Sequence, residues 1–64
     1  MNDRLLDRMY DDLDTLLASP TKICSWLTAY NEHLEGIPSE LIQCDIGLSR
    51  VVSYLDFLRD GGAS

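Results

Sequence analysis

One helix-spaced series of residues near the carboxyl end constrains the fold of this chain most strongly. Its spacings are four, four and three residues, and it consists of Gly47, Val51, Leu55 and Leu58. Gly61 then ends the predicted helix. With their apolar neighbours these positions occupy an arc of roughly 160° on a helical wheel. A glycine inside such an arc costs about 1 kcal/mol relative to alanine, so we expect another helix to approach closely at Gly47.

The opposite face of the same predicted helix is not purely polar. It carries Ile46, Arg50, Ser53 and Phe57. Large apolar side chains on a face that should meet solvent indicate a second surface to cover, such as a protein interface. Scattered exposed apolar side chains are also common in monomers, and the sequence leaves both interpretations open.

The amino-terminal residues, 1–18, follow an amphipathic pattern. The apolar positions fall within an arc of roughly 140° and are Leu5, Leu6, Met9, Tyr10, Leu13, Leu16 and Leu17. An acidic stripe occupies the next roughly 80° and consists of Asp3, Asp7, Asp11 and Asp14. A solvated face is the ordinary explanation of this stripe, and a docking surface for a partner is the alternative.

Helix boundaries in the middle of the chain follow from capping residues. Ser19 is a good N-cap, and Pro20 fits the first helical position after it. Pro38 begins another short helix, although Ile37 stands where a capping serine or threonine is expected. Asp45 is the predicted N-cap of the last helix.

These patterns predict one all-α domain over residues 1–64, a small bundle of about four helices. The helices are predicted over about 3–17, 20–30, 38–44 and 46–59, followed by a flexible tail over 60–64. The predicted structural core consists of Leu13, Trp26, Leu27, Leu34, Pro38, Leu41, Gly47, Val51, Leu55 and Leu58. A chain of 64 residues buries a marginal core, so association with a partner or a second copy is expected to add stability.

The net charge of −6 limits the classes of partner. Affinity for nucleic acid comes largely from lysine and arginine side chains that neutralise phosphates, and the chain has only five such residues. We therefore expect no direct nucleic-acid binding. The same negative charge favours a basic protein partner.

The sequence contains no recognisable constellation for catalysis or for a metal. Cys24 and Cys44 form no CxxC motif, and with the single histidine they do not match a structural zinc site. His33 has no nucleophile at a useful spacing and is predicted to be an exposed loop residue. We predict no enzymatic activity, no metal and no cofactor. With neither a signal peptide nor an apolar membrane-spanning run in the sequence, we expect a cytoplasmic protein with no membrane partner and with reduced cysteines.

Residues 23–61 resemble the toxin-binding domain of the Xre/MbcA/ParS-type bacterial antitoxins. The matching residues follow the family's order without insertions and are Trp26, Leu27, Asn31, Leu34, Gly36, Pro38, Leu41, Ile42, Gly47, Val51, Leu55, Leu58 and Gly61. Family members commonly have proline before the asparagine, where this chain has Tyr30. They also carry a helix-turn-helix DNA-binding domain ahead of the motif, where this chain has room for one acidic helix. We therefore expect a stand-alone toxin-binding domain without operator binding.

The resemblance implies an inhibitor that binds a cognate protein toxin and occludes its active site. In this family the toxin often has a RES-type or ADP-ribosyltransferase-like fold and uses NAD. The residues predicted to bind the partner are Asp7, Asp11, Asp14, Ile46, Arg50, Ser53, Phe57 and Arg59. Either the tail from Arg59 to Ser64 or the acidic stripe of the first helix would enter a basic cleft of the toxin.

Two other functions remain open from the sequence. The chain could be a homo-oligomerising interaction module, with a homodimer formed through Leu5, Met9, Leu13 and Leu16. It could also be a small transcriptional co-regulator, against which the acidic charge counts.

Overall fold

Four helices account for most of residues 3–61, the part of the chain that the computed structural model describes. They are α1 (Asp3–Leu17), α2 (Pro20–Thr28), α3 (Pro38–Leu41) and α4 (Asp45–Arg59). The predicted all-α bundle of about four helices is confirmed. Most of the predicted tail, from residue 62 onward, lies outside the described residues.

The core lies mainly between α1 and α4, which make the most extensive contact of any two helices. Its buried apolar side chains are Met9, Leu13, Leu34, Leu48, Val51, Val52 and Leu55. Burying one such side chain contributes about 1.5–3 kcal/mol relative to leaving it exposed. Of the other predicted core residues, Pro38 and Gly47 are buried, whereas Trp26, Leu27, Leu41 and Leu58 are partly buried at its edge.

Burial within the chain removes two of the four side chains predicted to form a homodimer contact on α1. Met9 is 0% exposed and Leu13 is 1% exposed, because both pack into the core that α4 completes. A second copy therefore cannot use these two side chains as contacts. The edges of the same face stay open, since Leu16 is 37% exposed and Tyr10 is 50% exposed.

The carboxyl end of α2 comes earlier than predicted. The last helical hydrogen bond runs from the Ala29 N–H to the Ser25 carbonyl at 3.1 Å, and Ala29 itself is extended. Asn31 then pairs with Gly36 through two backbone hydrogen bonds of 2.8 and 3.2 Å, which draw the chain out of the helix. Tyr30 consequently lies outside α2 and is 65% exposed.

The loop between α2 and α3 is held by its own hydrogen bonds. Asn31 Oδ1 accepts hydrogen bonds from the backbone N–H groups of His33, at 2.9 Å, and Leu34, at 3.1 Å. Glu35 adopts a positive φ of 57°, which reverses the chain direction toward the paired Gly36. Leu34 is only 3% exposed, as its predicted return to the core requires.

Capping agrees with the sequence at two helices and differs at the third. Ser19 Oγ accepts a hydrogen bond from the Lys22 backbone N–H at 3.4 Å, and Ile37 begins α3 without a side-chain cap. The prediction that Asp45 caps α4 is wrong, because Asp45 is already the first helical residue. Cys44 is the N-cap, and its Sγ accepts a hydrogen bond from the backbone N–H three residues along, at 3.4 Å.

The close approach predicted at Gly47 is confirmed. A Cβ added there would lie 1.9 Å from the Leu41 carbonyl oxygen, far inside van der Waals contact. Leu41 is the last residue of α3, which ends three residues before the predicted boundary at residue 44. The missing side chain of Gly47 therefore allows the end of α3 to rest on the start of α4.

Candidate functional site

Two exposed apolar side chains lie on the outer face of α4, a surface defined as Ile46, Arg50, Ser53 and Phe57. Ile46 is 78% exposed and Phe57 is 51% exposed. They lie three helical turns apart, about 16 Å along the axis. Ser53 is also exposed between them. The face thus presents one exposed apolar side chain near each end of the helix.

Arg50, on the same face, also has a partner within the chain. Its Nη2 donates a hydrogen bond to the Leu34 carbonyl oxygen at 3.2 Å, so it joins α4 to the preceding loop. Beside it, the His33 ring stacks on Tyr54 with the ring centroids 5.5 Å apart. The loop and the helix are therefore held together next to the exposed face.

A charged cluster, defined as Arg8, Asp11, Asp12, Asp56 and Arg59, joins α1 to α4 on another side of the molecule. Arg59 Nη1 donates to Asp11 Oδ2 at 2.9 Å and to Asp12 Oδ1 at 2.7 Å. Arg8 Nη2 lies 2.8 Å from Asp56 Oδ2. Most of these side chains are exposed, and exposed ion pairs contribute little. The exception is Asp12, whose side chain is 1% exposed.

Two of the three carboxyl groups of this cluster, Asp12 and Asp56, have pKa values shifted in opposite directions. Burial acts to raise the pKa of Asp12, but the hydrogen bonds with Asp56 and Arg59 outweigh it and leave that pKa below its usual value. The hydrogen bond with Asp12, followed by burial, raises the pKa of Asp56. Hydrogen bonds to Asp12 and Asp11 raise the pKa of Arg59, which remains a cation.

The structure groups the predicted partner-binding residues into three places. Arg59 and Asp11 meet in the charged cluster, so the Arg59 side chain turns toward α1 rather than along the tail. Asp7 and Asp14 are exposed on α1, and no hydrogen bond or ion pair to either side chain occurs among residues 3–61. The remaining four residues form the outer face of α4.

Three members of the charged cluster, Arg8, Asp12 and Asp56, were not singled out from the sequence. A signal for Asp12 was present, because it lies about 20° from the edge of the apolar arc of α1. Arg59 in turn lies within the arc that α4 buries. When two helix faces pack together, a carboxylate at the edge of one face and a guanidinium on the other are candidates for an ion pair across the contact.

Two clefts flank the contact between α1 and α4. The charged cleft has a volume of about 350 Å³ and is lined by Arg8, Asp11, Asp12, Asp56, Arg59 and Asp60. The apolar cleft has a volume of about 290 Å³ and is lined by Leu13, Leu16, Leu17, Trp26, Leu55 and Leu58. Trp26 thus forms part of a cleft wall as well as packing against the core.

Side chains suited to metal binding are not clustered in the described part of the chain. No group of three histidine, cysteine, aspartate or glutamate side chains there could hold a metal ion. Cys24 and Cys44 are both free and exposed. Between residues 3 and 61, no helix combines the length and apolar character needed to cross a bilayer.

Comparison with known proteins identifies the domain. The family model for the antitoxin Xre/MbcA/ParS C-terminal toxin-binding domain matches residues 12–61, a span that begins in α1, earlier than the resemblance seen from residue 23. Neither the curated proteins nor the solved structures contain a match to the chain. The matched span covers more than half of the sequence and includes α2, α3 and all of α4. The chain therefore belongs to the Xre/MbcA/ParS antitoxin family, of which it contains the toxin-binding domain.

Proposed function

We propose that this chain is an inhibitor that binds a cognate bacterial toxin and occludes its active site, without catalysing a reaction or binding DNA itself. The observation that carries the proposal is the outer face of α4, within the span matched by the toxin-binding family. There Ile46 and Phe57 are exposed on a helix that packs into the core and is joined to the preceding loop. Such apolar anchors are the residues that dominate binding energy in protein interfaces.

Charge supports a basic partner. The chain carries a net charge of −6, and Asp7 and Asp14 remain available on α1. A cleft that binds NAD phosphates is itself positively charged, so it would attract this acidic surface. The family resemblance supports a toxin with a RES-type or ADP-ribosyltransferase-like fold that uses NAD. Such a pair would meet in the cytoplasm, where NAD is available.

The segment that enters the toxin's cleft is either the tail over residues 60–64 or the acidic stripe. Deleting residues 60–64 separates the two, because every residue of α4 and of the charged cluster remains in the chain. Loss of inhibition with retained binding would assign occlusion to the tail. Unchanged inhibition would leave the acidic stripe, to be tested with Asp7→Asn and Asp14→Asn.

The partner can be obtained by co-expressing this chain with the neighbouring open reading frame and purifying the chain by affinity. A basic protein that is toxic when expressed alone should co-purify. Its consumption of NAD, measured with increasing amounts of this chain, should fall to zero near the stoichiometric point. Co-purification of no such protein would count against the inhibitor.

Phe57→Asp tests the outer face of α4 directly. We expect it to weaken toxin binding by about tenfold or more, since it places a carboxylate where an apolar anchor is buried. Calorimetry or surface plasmon resonance on the purified pair measures this change. Tyr30→Asp is the matched control, because Tyr30 is an aromatic residue of similar exposure outside α4.

Both variants should keep the denaturation midpoint within the range of ordinary surface substitutions. Wild-type affinity in Phe57→Asp, with or without an effect of Tyr30→Asp, would place the toxin contact elsewhere.

A further inference from the structure

Asp12 occupies an unusual position for a carboxylate in so small a chain. Its side chain is 1% exposed, and its Oδ1 accepts a hydrogen bond from Arg59 at 2.7 Å. Its Oδ2 is buried from solvent. While Asp12 and Asp56 are both ionised, no described residue donates a hydrogen bond to this oxygen. A buried acceptor without a donor is unfavourable, so a hydrogen atom between Oδ2 and a neighbouring group would be stabilising.

The neighbour in reach is Asp56. Arg8 and Asp12 are one turn apart on α1, and Asp56 and Arg59 are one turn apart on α4. Arg8 binds Asp56, with Nη2 to Oδ2 at 2.8 Å and Nε to Oδ1 at 3.3 Å, while Arg59 binds Asp12. The two carboxyl groups therefore lie between two arginines and line the same cleft.

The surroundings of this pair come from α1 and α4 alone. The charged and titratable groups that line the cleft are Arg8, Asp11 and Asp12 from α1, with Asp56, Arg59 and the following Asp60 from the end of α4. Four carboxyl groups and two guanidinium groups give an excess of negative charge there. An added proton reduces this excess.

We propose that Asp56 and Asp12 share one proton, held as an O–H···O hydrogen bond from the Asp56 carboxyl group to Asp12 Oδ2, and that losing this proton weakens the contact between α1 and α4. The proton exchanges with solvent and no other bond forms or breaks. When it is present, Arg8 and Arg59 bind the outer sides of a neutral acid and a carboxylate. When it is absent, two carboxylates repel each other at the helix contact.

The direction of the pH dependence follows from Asp56. Its hydrogen bond with Asp12 and its burial raise the pKa of Asp56, so the folded chain keeps a proton that the unfolded chain releases. The contribution of Asp56 to stability is therefore lost as pH rises from the unfolded value through the raised one. Asp12 acts in the opposite sense, because its lowered pKa makes its contribution fall as pH drops through that lower value.

The first test is a carboxyl carbon NMR titration of the full chain, which needs no variant. We expect Asp56 to titrate above the usual aspartate range and Asp12 below it, with each signal sensing the other's titration. An Asp56 midpoint in or below the usual range would overturn the proposal, since both carboxyl groups would then be ionised together.

Two amide variants locate the proton. In Asp12→Asn the new Nδ2–H₂ group donates to the Asp56 carboxylate, so the midpoint of Asp56 should fall to its usual range or lower. Asp60→Asn is the control, because it removes the same charge from the same cleft without touching the pair. Equal shifts of Asp56 in both variants would mean that net charge alone sets its titration, which contradicts a shared proton.

Asp56→Asn connects the proton to stability. Its Nδ2–H₂ group donates to Asp12 Oδ2 at every pH, so it imitates the protonated acid. The ratio of the wild-type unfolding constant to that of Asp56→Asn should rise with pH. If the titration midpoints of Asp56 in the folded and unfolded chain differ by one pH unit, the ratio should rise about tenfold in total. Each further unit of difference multiplies that total by about ten again. A ratio independent of pH, measured by urea denaturation, would contradict the proposal.

Discussion

The two ends of α4 are attached to the molecule by different kinds of contact. At its start, the backbone of Gly47 lies against the Leu41 carbonyl group, so closely that an added Cβ would be 1.9 Å from the oxygen. At its end, Arg59 reaches across to Asp11 and Asp12 on α1. The first contact depends on the absence of a side chain, and the second depends on three charged ones.

This difference predicts how each end responds to solution conditions. A van der Waals contact between backbones does not change with pH or salt, whereas ion pairs weaken as salt screens them. The start of α4 should therefore stay attached to α3 over a wide range of conditions. Its end should loosen from α1 when the charges change, while the outer face between the two ends remains exposed.

Gly47→Ala should have the largest effect on stability. Alanine normally gains about 1 kcal/mol over glycine inside a helix, but here its Cβ collides with a backbone atom that cannot rotate away. We expect a net loss of about 3 kcal/mol in the free energy of unfolding, measured by urea denaturation. This loss should be the same at low and high salt.

Gly36→Ala is the control for that substitution. Its added Cβ would lie 3.3 Å from Leu41 Cδ2, the end of a side chain that can rotate. We expect a change of less than about 1 kcal/mol. Similar small losses in both variants would show that the end of α3 gives way easily, and the start of α4 would then not be the firmly held end.

Arg59→Gln should have the second largest effect. It leaves the buried Asp12 without its cationic partner, and a buried unpaired carboxylate is strongly unfavourable. We expect the denaturation midpoint to fall further than in Arg4→Gln, since Arg4 is exposed and forms no ion pair among the described residues. Repeating both at about 1 M salt should narrow the gap only by the share that comes from the exposed Asp11, because salt screens a buried pair such as Arg59–Asp12 much less.

A denaturation midpoint that falls no further in Arg59→Gln than in Arg4→Gln would mean that the ion pairs do not hold this end of α4, and that the packing of the side-chain stem, which glutamine largely keeps, does. The proposed contrast between the two ends of α4 would then be lost, because both would be held by short-range contacts.

The close contact at the start of α4 could be predicted from the sequence because it depends on the type of a single residue. A glycine at Gly47, inside an apolar arc, is explained only by a close neighbour. The exposure of Ile46 and Phe57 followed from the same periodicity, since both lie off the arc that the core covers. Their role in binding a toxin remains a prediction.

The ion pairs at the end of α4 could not be predicted from the sequence in the same way. Asp12 borders the apolar arc of α1, but whether it faces water or Arg59 depends on how α1 and α4 cross. Periodicity along one helix says nothing about that crossing, which depends on the packing of all four helices. The N-cap was missed for a local reason, because a thiol is a weak acceptor and Asp45 offered a stronger one beside it.

Cys44 gives the smallest expected effects and the finest test of the start of α4. Its Sγ accepts the Gly47 N–H at 3.4 Å and lies 3.8 Å from the Leu41 carbonyl oxygen. Cys44→Ser supplies a stronger acceptor and should stabilise the chain by about 0.5 kcal/mol, whereas Cys44→Ala should destabilise it by about as much. Urea denaturation with hydrogen exchange at the Gly47 amide measures both. Equal losses in the two variants would mean that the thiol acts by filling space beside Leu41, so that packing alone, without a cap, holds this end of the helix.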